Sequence, residues 1–243
     1  HIKIDTGMHR LGFDPDDVLE LTHFLKQHPQ MMVASVFSHF AASEDPNEDS
    51  FTIQQAQIFQ NTCDIIEKEL GYSFMKHIAN SAAISRFKPF HFDCVRLGLG
   101  LYGYTAVKED QPKLQNTITL KSIITQIKNV KKDDTIGYNR TFVTQNEMNI
   151  AIVPIGYADG YPKELSNGKG FMIVNGKKCP VVGKICMDMT MIDVTGLDVH
   201  EEDEVIVYND NNNLNMISDS IQKSPYELLT AISKRVQRIY IRD

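Results

Sequence analysis

A change in hydrophobic period near the middle of the chain limits the folds open to it. Over residues 1–112, short apolar runs alternate with longer stretches whose apolar residues recur at helical spacing. Residues 2–4 are strand-like. Asp14 then offers an N-cap, with Pro15 at the first helical position, before the periodic run Val18, Leu19, Leu21, Phe24, Leu25. Residues 31–37 are the next predicted strand. Asp49 and Ser50 read as caps of a long helix carrying Ile53, Ala56, Phe59, Cys63, Ile66 and Leu70. Residues 75–79 and 94–97 supply two further predicted strands. Such alternation builds βα units on a parallel sheet. About four units fit here, near half of a complete (β/α)8 TIM-type barrel, which takes about 250 residues.

The run E-D-Q-P-K, residues 109–113, breaks this pattern. Beyond it come short β-prone runs at residues 118–130, 149–155, 171–174, 181–185, 191–194 and 204–207. Asp133-Asp134, Asn167-Gly168, Asn175-Gly176 and the asparagine-rich residues 209–213 punctuate them as turns or loops. The expectation is an α/β plus β chain. Residues 1–112 form the second half of a barrel, and residues 113–243 form a mostly antiparallel β domain with one short helix from Pro225 to about residue 233.

The net charge of −6 argues against nucleic acid as the main partner. No apolar run approaches the roughly 20 residues of a membrane span. Cys63, Cys94, Cys179 and Cys186 show neither a C-x-x-C pair nor metal-ligand spacing and read as reduced thiols of a cytoplasmic protein; no metal site is expected.

Three segments carry the most specific chemistry: I-K-I-D-T-G-M-H-R-L-G at residues 2–12, I-G-Y-A-D-G-Y-P at 155–162 and I-C-M-D-M at 185–189. In order and rough spacing they resemble the alanine racemase family, enzymes of the pyridoxal-phosphate class, and the resemblance covers nearly the whole chain. It implies interconversion of L-alanine and D-alanine through an imine to the pyridoxal-phosphate aldehyde, with two bases on opposite faces, supplying D-alanine for peptidoglycan.

The resemblance also implies roles for single residues. Tyr138, in T-I-G-Y-N-R-T-F, matches the base for the L-enantiomer, and His39 and Arg96 match the network that assists it. A phenol needs such help because its reference pKa is about 10. Arg96 matches the partner of the pyridine nitrogen; a permanently charged guanidinium disfavours protonating that nitrogen and restrains competing carbanion chemistry. Ser81, Gly98, Leu99 and Tyr226 match the phosphate contacts. Arg10 matches a residue that reaches the substrate carboxylate and the cofactor's phenolic oxygen, the backbone of Met187 another carboxylate contact, and Tyr157 the substrate entrance. Lys3 matches a lysine often carbamylated in the family; from the residues alone it reads as an ion pair, with Asp5 as a candidate partner. Tyr138, Tyr157 and Met187 are expected to serve the other subunit of a homodimer. Cys186 reads as a small buried hydrophobe, and Asp159 and Asp188 as turn residues.

Departures are His9 and Asn139 where small residues are usual, Gln237 where proline is common, and no lysine in the context of the family's cofactor lysine. The chain opens at His1 inside a predicted strand, so it reads as the later part of a longer enzyme, inactive by itself. Alternatives are a racemase of another small amino acid such as serine, a decarboxylase of basic amino acids, which Arg96 disfavours, and a cofactor-binding module without catalysis. An incomplete barrel leaves strand edges open to pairing. The isolated chain is therefore expected to sediment at micromolar concentration as a self-associated species; a sharp monomer boundary would count against that.

Overall fold

The computed structural model of the chain describes residues 1–209 and 211–241. It divides into two compact units, His1–Gln115 and Asn116–Asp243.

In the first unit, β1 (Ile2–Lys3), β2 (Ser35–Phe37) and β3 (Met75–His77) form a parallel sheet in that order. Ile2 lies opposite Val36, and Phe37 opposite His77. Between the strands run α1 (Val18–Gln27) and α2 (Asp49–Leu70), and α3 (Ser81–Arg86) follows β3. Ile4, Val36, Phe59, Cys63, Ile66 and Ile78 are fully buried in one core.

Both long helices start differently from the sequence expectation. Asp14 does not cap with its side chain; Pro15–Asp17 form a 3-10 turn, and α1 follows at Val18. Its inward stripe is Val18, Leu21, Thr22 and Leu25, an i, i+3, i+4, i+7 pattern. Leu19 and Phe24 fall off that stripe and are 61% and 47% exposed. Ahead of α2, Asp45 caps a 3-10 turn at Pro46–Glu48 by accepting from the Asn47 amide, and α2 itself has no side-chain cap, since Asp49 and Ser50 are its first two helical residues. Ala56, Phe59, Cys63 and Ile66 face the core as expected, while Ile53 is 40% exposed.

The expected strands are also trimmed. Met31 and Met32 are exposed and unpaired to the sheet, so β2 begins only at Ser35. Residues 94–97 form no ladder; the segment meets β3 and its extension through two backbone bonds, Asp93 N–H to Lys76 O (3.1 Å) and Arg96 N–H to Ala79 O (2.9 Å). The unit thus has three strands where four were expected.

The second unit holds a four-stranded antiparallel sheet in the order β10–β9–β12–β4, a three-stranded one in the order β11–β8–β5, and the hairpin β6–β7. The strands are β4 (Leu120–Ile123), β5 (Gln126–Val130), β6 (Thr135–Ile136), β7 (Phe142–Val143), β8 (Met148–Val153), β9 (Phe171–Val174), β10 (Lys177–Pro180), β11 (Thr190–Asp193) and β12 (Glu204–Tyr208). Asn175 and Gly176, with φ of 49° and 74°, make the two-residue β9–β10 loop that this dipeptide favours.

This unit departs from expectation in three places. Residues 181–185 are not a strand: only Val181 bridges to Ile192, and Gly183 turns the chain at φ 70°. The hairpin β6–β7 and strand β10 had no clear apolar alternation. In the asparagine-rich stretch, residue 210 lies outside the described residues, and from Asn211 the chain is helical as α4 (Asn211–Ser220), anchored by the fully buried Leu214 and Ile217. Two helices therefore close the unit; the second, α5 (Pro225–Ala231), opens with a Ser224–Glu227 capping box.

Phe59 is fully buried with its ring edge-on to Phe92 at 5.2 Å, whereas Phe24 is largely open to water. Phe59→Ala should cost about 3–5 kcal/mol and Phe24→Ala under about 1 kcal/mol in urea unfolding; comparable losses would contradict this core assignment.

Candidate active site

The C-terminal ends of β2 and β3 meet at Arg96. One guanidinium nitrogen donates to His77 Nδ1 (2.6 Å) and His77 O (3.2 Å). The other lies within reach of Ser38 O (2.6 Å), Ile78 O (3.2 Å) and His39 Nδ1 (3.2 Å). The group also lies over the Phe37 ring, 5.6 Å from its centroid. Among the described residues no carboxylate pairs with Arg96, and its Nε–H has no acceptor. Because arginine only donates, His77 Nδ1 must be unprotonated. Burial first and then the Arg96 charge lower the His77 pKa. The same two causes, followed by Arg10 and Lys3, bring His39 down to about 4. Both imidazoles are thus neutral near pH 7.

Buried polar contacts hold this corner. Gln55, on the inner face of α2, donates to Thr6 Oγ1 (3.2 Å) and His39 O (3.3 Å) and accepts from the Ala41 amide (3.0 Å). Ser38 Oγ donates to Ile4 O (2.7 Å), tying β2 to β1.

Arg10 is exposed on the loop after β1. Asp5 Oδ1 accepts from the amides of Gly7, Met8 and His9, each at 3.0 Å, which folds the loop tightly and puts His9 at φ 53°. Paired backbone bonds between Asp5 and Phe13 and between Phe13 and Lys3 close its base. Asp5 is therefore not the partner of Lys3. Among the described residues, neither the Lys3 ammonium nor the Arg10 guanidinium has a hydrogen bond or ion pair, although both charges act on His39. His9 and Asn139, the two departures in these motifs, both take the left-handed conformation, with φ of 53° and 61°.

Ser81 is the first residue of α3, after Asn80, whose side chain accepts from the Ala83 amide. Ser81 Oγ accepts from Gly98 N–H (2.9 Å) and Gly100 N–H (3.4 Å), leaving its own proton without an acceptor among the described residues. Leu99 begins a 3-10 turn, so its amide has no intrahelical acceptor. The first unit therefore brings together Ser81, Gly98 and Leu99 in one place and His39 and Arg96 in another, and leaves Arg10 and Lys3 open.

The other expected residues belong to the second unit. Tyr138, 68% exposed, sits at the tip of the β6–β7 hairpin beside an open cavity of about 540 Å³ lined by Val130, Ile136, Ile150, Ile152, Cys186 and Met191. Tyr157 and Met187 lie on two loops bonded to each other: Tyr157 N–H donates to Cys186 O (3.1 Å) and Ala158 N–H to Met187 O (2.9 Å). The Met187 N–H itself has no acceptor among the described residues. Tyr226 lies in the first turn of α5, 40% exposed. Burial raises the Cys186 pKa, in keeping with a packing role.

The sequence reading missed His77, Ser38 and Gln55. His77 was open to detection, because it ends a strand where functional side chains collect in βα folds. The other two give no local signal; one acts through its carbonyl and the other as an ordinary polar helix residue.

Residues 1–106 match the family model for the alanine racemase N-terminal domain, and residues 117–240 match that for the C-terminal domain. The alanine racemase of Clostridium tetani is 39% identical over 252 residues, which cover all of this chain and 65% of that protein. Alanine racemase 1 of Oceanobacillus iheyensis is 38% identical over 99% of the chain and 66% of its own length. The solved alanine racemase of Streptomyces lavendulae superposes at a TM-score of 0.92 with 32% identity, over 100% of this chain and 66% of that one. That of Bartonella henselae, which carries covalently bound pyridoxal phosphate, superposes at 0.86 with 31% identity, over 99% of this chain and 66% of that one. The chain thus spans about 65% of the length of its curated relatives. With both family models accounted for along its length, this chain belongs to the alanine racemase family.

Proposed function

We propose that this chain is the part of an alanine racemase that holds and tunes pyridoxal phosphate and supplies one of two bases for interconverting L-alanine and D-alanine. In this reading residues 1–112 are the second half of the cofactor-binding (β/α)8 barrel and residues 113–243 the β domain. The observation that carries it is the Arg96 guanidinium, half-buried, without a carboxylate among the described residues and with one N–H unspent. A decarboxylase of basic amino acids needs a carboxylate at that point, and a structural arginine so placed usually has a counter-ion.

The residues present fit the cofactor. Arg96 Nε–H is free to donate to a ring nitrogen, and its fixed charge opposes a proton there. The Ser81 hydroxyl and the Leu99 amide, beside Gly98, are unspent donors suited to a phosphate, and Tyr226 joins them on the family resemblance. When bound, the cofactor withdraws electrons from the amino acid's α-carbon and so makes its α-proton removable. Arg10 and the Met187 amide are open donors for the substrate carboxylate. Tyr138, with its phenol in the open, takes or returns the α-proton of L-alanine, and neutral His39 keeps Nε2–H as a donor for a developing phenolate. Tyr157 lines the entrance, and Lys3, unpaired among the described residues, is available for carbamylation beside Arg10. No lysine among the 243 residues stands in the cofactor-lysine context, so we infer that the imine-forming amine and the base for D-alanine lie outside them. The active form is a cytoplasmic homodimer whose β domains serve the neighbouring subunit, making D-alanine for peptidoglycan.

The 243-residue polypeptide should racemise nothing alone and gain alanine turnover when a segment carrying that lysine is supplied; turnover by the polypeptide alone would overturn the division of labour. In the active form, Tyr138→Phe should stop solvent-deuterium exchange into L-alanine by about 10²-fold or more while exchange into D-alanine persists. Loss of both in equal measure would remove Tyr138 as a base.

His39 also predicts a pH dependence of stability. Its folded pKa of about 4 lies below the ordinary 6.5, so the unfolded chain binds more protons between those values. Its contribution is fully present above about pH 6.5 and is lost as pH falls toward 4. His39→Gln should flatten that part of the urea-midpoint profile and leave the His77 part in place; an unaltered slope would show that His39 is not buried neutral.

A further inference from the structure

Residues 156–160 and 186–188 form a double loop whose geometry is set from behind by a residue far along the chain. Asp159 N–H and Tyr161 N–H both donate to Gly156 O, at 3.0 and 3.1 Å, and Gly160 turns at φ 106°. Through Tyr157 and Ala158 this turn holds the carbonyls of Cys186 and Met187. The approach is close: a Cβ on Gly156 would fall 2.3 Å from Cys186 O and 2.5 Å from Met187 O. The backbone of 156–158 therefore dictates where the free Met187 N–H points.

Asp159 fixes that backbone. Its Oδ2 accepts from Gly156 N–H (2.9 Å), and its Oδ1 accepts from Arg235 Nε–H (2.6 Å). The side chain is 12% exposed. Burial opposes its ionisation, but the Arg235 and Gly156 donors outweigh that and hold the carboxyl below its ordinary range. Asp159 O accepts from Ser233 N–H (2.9 Å), and a Cβ on Gly160 would lie 2.5 Å from Ala231 O. The segment after α5 is thus closed onto the turn at several points. No hydrogen bond among the described residues joins Arg235 to Tyr157 or Met187.

We propose that Arg235, acting through Asp159, is a positioning residue for recognition of the amino-acid carboxylate: the pair locks the turn that aims the Met187 amide and sets Tyr157 beside it. The inference rests on the racemase reading for the identity of that carboxylate. It separates recognition from proton transfer, because neither residue reaches Tyr138 by any hydrogen bond among the described residues.

The test uses the cofactor-loaded, full-length protein containing this chain, with Asp159→Asn, Arg235→Met, Arg235→Lys and the Asp159→Asn/Arg235→Met double variant. Asp159→Asn and Arg235→Met should each raise the KM for alanine about tenfold with kcat within about threefold, as expected for loss of one charge-assisted bond. Arg235→Lys, which keeps the charge at a half-exposed position, should recover most of that loss. The double variant should be no worse than about the poorer single one. Hydrogen exchange should speed up at the Tyr157 and Ala158 amides, which bond to Cys186 O and Met187 O, in the same order of variants. Accelerated exchange with an unchanged KM, or a fall confined to kcat, would overturn the inference. A wild type without alanine turnover would sink the racemase reading instead. Exchange would then decide: faster exchange at Tyr157 and Ala158 in Asp159→Asn would support the positioning role, and unchanged exchange would end it.

Discussion

A single guanidinium gathers the functional end of the first unit. Arg96 receives the carbonyls of Ser38, His77 and Ile78, each near the end of a parallel strand, together with the Nδ1 atoms of two histidines. Parallel strands expose carbonyls at their C-terminal ends that the sheet itself cannot satisfy, and a five-donor planar cation can satisfy several at once. With no carboxylate beside it among the described residues, the charge is balanced by dipoles alone. Burial first, and then this charge, keep both histidines neutral, which makes them oriented donors and acceptors.

The surroundings of that cation follow from ordinary burial rules applied to polar groups. Gln55 and Thr6 would be costly in the core if left alone, and each is paired. Gln55 binds the backbone on either side of Phe40, at His39 O and the Ala41 amide, and Thr6 binds the Ser38 hydroxyl and Gln55 itself. Polar residues on the inner face of α2 thus convert helix packing into precise placement of a site on a neighbouring strand. The second unit uses a different device. There, glycines admit backbone against backbone, at Gly156 over Cys186 and Met187 and at Gly160 over Ala231, and the closeness of approach aligns the loops.

Element types in the first unit were legible because helices with a 3.6-residue stripe and buried parallel strands leave different marks. Their edges were not. The stripe of α1 was read one position too wide, since Leu19 and Phe24 are apolar yet face water. Residues 94–97 read as a strand from composition, but they carry too few ladder bonds to count as one. The asparagine-rich stretch read as a loop by propensity, and burial of Leu214 and Ile217 overrides it from Asn211 onward. Among the site residues, Arg96, Tyr138 and Ser81 were recognisable through the motifs around them. His77 could be read only from its place at a strand end, and Gln55 not at all, since a lone glutamine carries no periodic or motif signal.

The order of residues by itself determined the change from βα units to β-rich texture, the turn at Asn175-Gly176, and the family, because period, turn chemistry and motif order are local properties of a chain. Only the tertiary structure decided that Arg96 has no carboxylate partner among the described residues, that His39 is neutral, and that Asp159, already bound to Gly156, meets Arg235 from 76 residues further along. Those properties depend on which distant groups share a small volume and how much water is excluded from it, and neither quantity is written in any stretch of neighbouring residues.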